Sequence, residues 1–574
     1  MAYLRPGVYV EEIPAGNAPI ASSTATSVAA FVGVTDKGPT TPTLVTSWAQ
    51  YTSLYGSWGT NNTVTTAVYL FFANGGSQAY IQRVVGSGAT ASKVVFADAN
   101  PAAALGTQTP TGTTNISITT DAAHGFVEGQ SVVVSGVTPA GYNGVWTAQS
   151  GTTGTTLVLN IGSNPGAITV AGTARAATLQ LSAKNPGTWG NSVYTKILAS
   201  SLGGAYFTVQ VYSGGSDADK VVESFTDVTM NSADSSYAVN VINGGSNYLT
   251  AVDLLTTDSF GNSDNPATTE SPVQLTTGSN GSAVNSSAIA AAVTSGALDS
   301  VDSALLLNAP GVTAAADVDA LLTYAAGRGD VFVIIDGING AASAQITLVN
   351  SYSTAHAGYG AVYFPQLVIP SPTQTTTGAT ITVPPGAAVL GQIVTTDASR
   401  GVFKSPAGLE TRLSGVVSVA KLTNAELDNL NSNTAAINAI RYVPGSGIVV
   451  MGARTLKPGY ADRYISVRRS LIYLRKRIDS ITKFALFEPN DARLWNKIDS
   501  TLNSFLMDFW QQGGLAGGSP TDAYFVKCDD ENNTSVTVAN GQVIAEVGVA
   551  LQRPAEFIII RISQYDGGAV VTIS

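Results

Sequence analysis

Apolar and polar positions follow two rhythms along this chain, strict alternation or short solid runs over most of its length and a helical period only towards the end. At the start of the run Val8, Tyr9, Val10, Glu11, Glu12 and Ile13, apolar Val8 and Val10 alternate with Tyr9 and Glu11, and Pro14, Gly16 and Pro19 block continuation into a helix or a central strand. Residues 1–25 therefore read as an extended arm. Its unpaired backbone donors need a sheet edge, in this chain or in another subunit. The solid run SVAAFVGV (27–34), a helix near 62–74 and the strand AYIQRVV (79–85) give a β-α-β order. The same order returns far downstream as LDSVDSALLLNAPG (298–311), a helix near 314–327 and DVFVIIDG (330–337). One α/β domain built from 26–88 and 286–395, interrupted by insertions, is the expectation.

The intervening chain has a different texture. Residues 89–178 are rich in Thr and Gly, with short alternating runs such as NISITT, QSVVVSG and TTLVLNI, and predict an inserted β-sandwich or barrel. Residues 179–285 predict a second β-rich domain, opened by AKNPGTWGN, where Pro186, Gly187 and Gly190 set a tight turn and Trp189 supplies a packing anchor.

Beyond residue 396 the helical period takes over, in a C-terminal domain expected over 396–556. Thr423 and Glu426 form a T-x-x-E capping box ahead of Leu427 and Leu430. A helix near 467–485 puts Leu471, Leu474, Ile478 and Ile481 on one face, with basic residues largely opposite. Another opens at Pro489-Asn490-Asp491 and carries Leu494, Trp495, Ile498, Leu502, Phe505, Leu506 and Phe509 at helical spacing up to Gly513-Gly514. Residues 557–574 return to extended structure, with Phe557, Ile558, Ile559, Ile560, Arg561 and Ile562 as a strand-like arm. The sum is an α+β multidomain chain: an α/β core with a C-terminal helix-and-strand domain, inserted all-β modules, and extended arms at both ends.

Composition narrows the class. At 574 residues, 11% of them charged, the chain is too long for one core and suits many short strands and turns. The start, MAYLRPGVYVEE, lacks the apolar stretch of a signal peptide. No apolar run approaches a membrane span, so no direct membrane insertion is expected. The single cysteine, Cys528, rules out an internal disulfide framework and fits a reducing cytoplasm.

The net charge of −10 is unevenly spread. Residues 1–399 hold 9 basic and 22 acidic side chains, whereas 400–574 hold 19 and 16. The basic residues gather at Arg463, Arg468, Arg469, Arg475, Lys476, Arg477 and Lys483. Phosphate binding needs little more than such a cluster. The acidic chain carries no recognition module, however, so no nucleic-acid partner is expected. A solvated helix face or pairing with acidic surfaces of neighbouring subunits accounts for the cluster better.

Catalytic and metal-binding patterns are missing. There is no G-x-x-x-x-G-K-[ST], H-E-x-x-H, G-x-S-x-G or C-x-x-C. His124 reads as a turn residue and His356 as a helix-to-strand junction. Lys527 beside Cys528 would favour a thiolate, yet no base lies near in sequence, and a small buried residue is the simpler account. Asp529, Asp530 and Glu531 fail the calcium-loop pattern because Thr534 stands where a sharply turning Gly is needed. The sparse acids of the first β module, Asp98, Asp121 and Glu128, offer little support for a surface-binding or carbohydrate-processing protein. No enzyme activity and no cofactor are expected.

Seven phrases of the last third resemble, in order and spacing, the tail-sheath proteins of contractile phage tails and related injection machines. They are TDASRGVFKSPAG (396–408), MGARTL (451–456), RYISVRRS (463–470), FEPND (487–491), Leu494-Trp495, FVKCDDENNT (525–534) and PAEF (554–557), and RPGVYVEE (5–12) opens the chain in the same style. The resemblance implies a virion-tail subunit, assembled in the bacterial host cytoplasm, that forms a helical homopolymer around an inner tail tube and contracts to drive the tube through the host envelope. Its implied partners are its own copies, the tube, the baseplate and the tail terminator. It further implies that both arms add strands to neighbouring subunits and that the C-terminal domain faces the tube. Arg468, Arg469, Arg475, Lys476, Arg477, Arg493 and Lys497 are then candidate tube-facing or interface charges. A pyocin-like or extracellular injection sheath is the alternative.

Overall fold

A computed structural model describes residues 27–59, 62–255, 264–374, 376, 378–459, 462–556, 560–565 and 568–573. The arm residues Val8, Tyr9, Val10, Glu11, Glu12, Ile13, Phe557, Ile558 and Ile559 lie outside these. Two compact units emerge, one of residues 36–38 and 85–283 and one of the remaining chain on either side.

The split unit is organised by an eight-stranded sheet. Its strands are β1 (Val28–Gly33), β2 (Thr43–Val45), β3 (Ala79–Arg83), β4 (Leu305–Asn308), β5 (Val331–Asp336), β6 (Gly360–Phe364), β7 (Ile437–Val443) and β8 (Gly447–Val450), in the spatial order β2-β3-β1-β4-β5-β6-β7-β8. The six inner strands run parallel, and β2 and β8 close the edges antiparallel. Solid apolar runs such as VAAFVG and VFVIID suit strands covered on both faces. Period-two alternation splits them between two cores. Ala29, Phe31, Leu306, Phe332, Ile334 and Tyr363 enter one core, and Val28, Ala30, Val32, Leu305, Leu307, Val333 and Ile335 enter the other. The first face is covered by α1 (Asn62–Ala73) and α3 (Gly386–Arg400), the second by α2 (Ala315–Arg328).

Glycine sets the closest helix contact. A Cβ at Gly391 of α3 would lie 2.7 Å from both the Asn74 Cβ and the Phe71 carbonyl oxygen, so α1 and α3 meet through bare backbone. Asn74 holds the junction, its amide donating to the carbonyls of Leu70 and Ser414 and its oxygen accepting from the Ser414 N–H at 2.8 Å.

The sheet runs past residue 395, where the α/β domain was expected to stop. β7 and β8 come from the segment assigned to the C-terminal domain, because the apolar edge of β6 continues through the pair Val362↔Ile437. The C-terminal helices then build smaller cores of their own with the hairpin Tyr524–Lys527 and Glu546–Val549. In α5 (Ala492–Gln511), Leu494, Ile498, Leu502, Phe505, Leu506 and Phe509 are buried and Trp495 is half-buried. Burying those six stabilises by roughly 10–20 kcal/mol at most. Asp491 caps the helix by accepting from the N–H groups of Arg493 and Leu494, and Gly513, at φ 82°, ends it. The Thr423–Glu426 capping box forms in full.

The other unit holds two β cores threaded by one twelve-residue strand, Gly172–Ala183. The expected boundary at 178 falls inside it. Ala174 and Ala176 pack into one core while Leu179, Leu181 and Ala183 pack into the next, so a single strand serves both modules. At the C-terminus, Ile560, Arg561 and Ile562 lie in the strand Ile560–Tyr565, which pairs antiparallel with Gly568–Ile573 of the same chain.

Candidate functional site

The basic cluster resolves into intramolecular clasps. In α4 (Ile465–Thr482), Arg469 is 2% exposed and donates from Nη1 to Asp397 Oδ1 at 2.8 Å, with a second contact from Nη2 to Oδ2. Ser27 donates to the same carboxylate at 2.7 Å. Arg468 is buried, donates to Asp462 at 2.7 Å and stacks over the Tyr359 ring at 4.6 Å. Lys476 reaches Asp302 at 2.6 Å and Asp330 at 3.3 Å, and the guanidinium of Arg475 covers Gly329. Arg477 stacks on Phe505 at 5.6 Å. Arg468, Arg469 and Lys476, expected to face the tube or a neighbouring subunit, are thus engaged within their own unit. A helix covered along its first turns must bring acids to its cations, because a buried charge without a partner costs too much.

Electrostatics agrees with this arrangement. Burial alone would raise the Asp462 carboxyl, but Lys457 and Arg468 overcome it and hold it below the usual range. Burial lowers Lys476, and Asp302 and Asp330 more than restore it, leaving the ammonium above its ordinary value. A fourth clasp ties Arg454 to Glu556: Nε donates at 2.9 and 3.0 Å to the two carboxylate oxygens, Nη2 makes a further contact, and Tyr464 donates to the same carboxylate at 3.3 Å.

These clasps connect the recognised phrases to one another. Asp397 of TDASRG meets Arg469 of RYISVRRS, and Arg454 of MGARTL meets Glu556 of PAEF. Trp495 of the Leu494-Trp495 pair donates to Asn490 of FEPND at 2.8 Å. Charged letters of opposite sign in separate phrases were the available signal for Asp397 and Glu556, whereas Asp462 lies just before RYISVRRS and outside every phrase; residue-by-residue reading left all three without roles. Two residues of the clasps border the segments expected as arms: Ser27 follows residues 1–25 and Glu556 precedes residues 557–574.

Arg493 and Lys497 differ from the cations above. The Arg493 side chain is 95% exposed, with Asp491 at 3.6 Å, and the exposed Lys497 lies over the Phe484 ring at 4.4 Å. Phe487, in the turn that precedes α5, is 89% exposed at φ 63°. A bulky side chain in the left-handed region carries a backbone cost of about 1–3 kcal/mol.

The remaining candidates are structural. Burial pushes the Cys528 thiol up to about 11, against any thiolate role, and Asn533 donates to its sulfur. His124 accepts from the Phe126 N–H at 2.9 Å and stacks on that ring. His356 precedes the short turn Ala357–Tyr359 that leads into β6. Among the described residues no group of His, Cys, Asp or Glu is arranged to hold a metal ion, and no helix is long and apolar enough to cross a membrane.

One comparison with known proteins falls on the region of α4 and α5. Residues 461–564 match the phage tail sheath C-terminal domain. The chain is 31% identical over 113 residues to the tail sheath protein of Salmonella phage ViI and 28% identical over 181 residues to that of Vibrio phage KVP40. These matches cover 19% and 31% of this chain, and only 17% and 26% of the relatives' lengths. In fold, it is similar to the sheath of an extracellular contractile injection system in the contracted state, the PVC sheath complex, with a TM-score of 0.51 at 20% identity over 98% of this chain and 99% of the other. The chain is therefore similar to the contractile tail sheath proteins, and its residues 461–564 to their C-terminal domain.

Proposed function

We propose that this protein is the structural subunit of a contractile tail sheath. Copies polymerise helically around an inner tail tube in a stretched form and then pass to a shorter, wider lattice that drives the tube through the host envelope. Such a transition between two packings draws on interface energy stored at assembly and requires no fuel in the subunit. The match of residues 461–564 to the sheath C-terminal domain carries this reading. The clasps support it mechanically, since a subunit that moves as a rigid body under load benefits from buried charge pairs at the roots of its arms. Its partners in this scheme are its own copies, the tube, the baseplate and the tail terminator, with assembly in the host cytoplasm and residence in the virion tail.

Electron microscopy of purified full-length protein tests the proposal. Striated tubules are expected, whereas a chain lacking residues 1–20 should remain folded and soluble without forming them. Wild-type tubules from the truncated chain would remove the arm from the mechanism, and a full-length chain that never polymerises would remove the sheath reading. The likeness to an extracellular injection sheath over 98% of this chain supports a second reading with the same mechanics and a different cargo. Particles carrying the subunit and purified from a lysate separate the two, by the presence or absence of DNA-filled capsids on the tails.

A further inference from the structure

An asparagine that precedes glycine is open to spontaneous loss of its side-chain ammonia, because glycine leaves the next backbone nitrogen unshielded. Six positions have this sequence: Asn74, Asn143, Asn243, Asn280, Asn339 and Asn540. The reaction needs two freedoms. The side chain must swing until Cγ meets the glycine nitrogen, and that nitrogen must be released from any hydrogen bond of its own.

Four of the pairs lack the first freedom. Asn74 is held by Leu70, Gln392 and Ser414. Asn143 accepts from the Val137 N–H and donates to its carbonyl, both at 2.9 Å. Asn243 does the same with Ala251, at 2.7 and 3.0 Å. Asn280 accepts from the Thr188 N–H at 3.0 Å and bonds its hydroxyl at 3.2 Å. Asn540 lacks the second freedom, since Gly541 donates its N–H to the Val538 carbonyl at 3.0 Å where the chain leaves the helix Ser535–Ala539.

Asn339 and Gly340 differ from the other five pairs. Both residues are exposed, in the turn between β5 and the helix Ala342–Val349. Among the described residues, neither the Asn339 side chain nor the Gly340 N–H has a hydrogen-bond partner. The residue before them is anchored: Ile338 donates its N–H to Oε1 of the fully buried Gln345 at 2.7 Å.

We infer that Asn339 is a modification site, converted without an enzyme to aspartate and isoaspartate in the folded subunit. Base takes the Gly340 N–H proton and the nitrogen attacks Asn339 Cγ. A C–N bond forms, the Cγ–Nδ2 bond breaks, and Nδ2 takes a proton from water and leaves as ammonia. Water then opens the resulting succinimide ring at either carbonyl, which yields the two acids. The new carboxylate stands just ahead of the helix Ala342–Val349, whose positive end favours it, so the folded subunit tolerates the change. The inference goes beyond the sheath reading and does not depend on assembly.

Peptide mapping by mass spectrometry, on soluble full-length protein kept in warm, mildly alkaline buffer, tests it. Each hydrogen bond that must first break slows the reaction, so Asn339 should convert about tenfold faster than each of the other five asparagines. In guanidinium chloride, with the fold lost, the six rates should converge. Gly340→Ala shields the attacking nitrogen and should suppress conversion at Asn339, together with the methyl label that isoaspartyl methyltransferase places on the aged wild-type protein. A Cβ at residue 340 would meet the Ile338 side chain at 3.5 Å, an ordinary contact, so this variant keeps its fold. Conversion at Asn339 no faster than at the other five in the folded protein refutes the site. A lead for Asn339 that persists undiminished in guanidinium chloride also overturns the inference, because local sequence and not the fold would then set the rate.

Discussion

Arg469 and Asp397 stabilise the subunit only as a pair. Their side chains are 2% and 6% exposed, so removing one partner strands a charge in the interior. Arg469→Met should lower the stability of the dispersed subunit by about 3–5 kcal/mol, whereas the double change Arg469→Met with Asp397→Leu should recover much of the loss. Urea unfolding of the three proteins measures both. Charge reversal at Arg468, Arg469 or Lys476 is accordingly a poor probe of tube contact, since it damages the subunit first. Arg493 and Lys497, which are exposed, remain suitable for that purpose. The pH dependence has a definite sign. Asp462 is held below its unfolded value, so its contribution is complete above about pH 4 and is lost as pH falls through the folded value. Lys476 is held above its ordinary value, so its contribution persists below about pH 10 and is lost as pH rises through the folded value. The urea midpoint should stay level between these limits, and Asp462→Asn should flatten the acid limb.

Helix contacts obey geometry before propensity. Alanine is the better helix former by about 1 kcal/mol, yet Gly391→Ala should destabilise, because the new methyl would sit 2.7 Å from the backbone and side chain of α1. A net loss of about 1–3 kcal/mol is expected, read as a lower melting temperature. The elements differ in how far the chain announced them. Local signals were sufficient for α5, whose cap, apolar stripe and terminal glycines all lie within some 25 consecutive residues. The same holds for the Thr423 box. For α4 the apolar stripe at Leu474, Ile478 and Ile481 was legible but the fate of the cations was not. Their partners Asp397, Asp330 and Asp302 are distant in sequence and become neighbours only in the fold. Strand Gly172–Ala183 defeated a boundary drawn from texture, since a change of core along one strand leaves no mark in composition.

At the scale of the whole molecule, the inserted β module is built to be removable. Ala97 and Ala177 are directly opposed in antiparallel strands, and the chain between them forms most of one separate core. Replacing residues 98–176 with an Asn-Gly turn should close a simple hairpin and leave the remaining subunit folded, with little change in its melting temperature. Assembly should also survive, in keeping with a module that supplies none of the clasps or the phrases shared with sheath proteins. Loss of tubules from the shortened chain would give the module a role in the lattice.

The insertion of one unit into another also imposes an order on synthesis. β1 is flanked by β3 and β4, and β4 is separated from β3 by everything between Arg83 and Leu305. At translation rates of about 5–20 residues per second, the ribosome takes roughly ten seconds or longer to deliver the second neighbour. During that interval β1 presents an open edge in a fully apolar strand while the inserted unit has time to fold completely. Nascent chains are therefore most exposed to mispairing before β4 emerges, and slowing translation across 85–283 should shift newly made chains from soluble subunits towards aggregates.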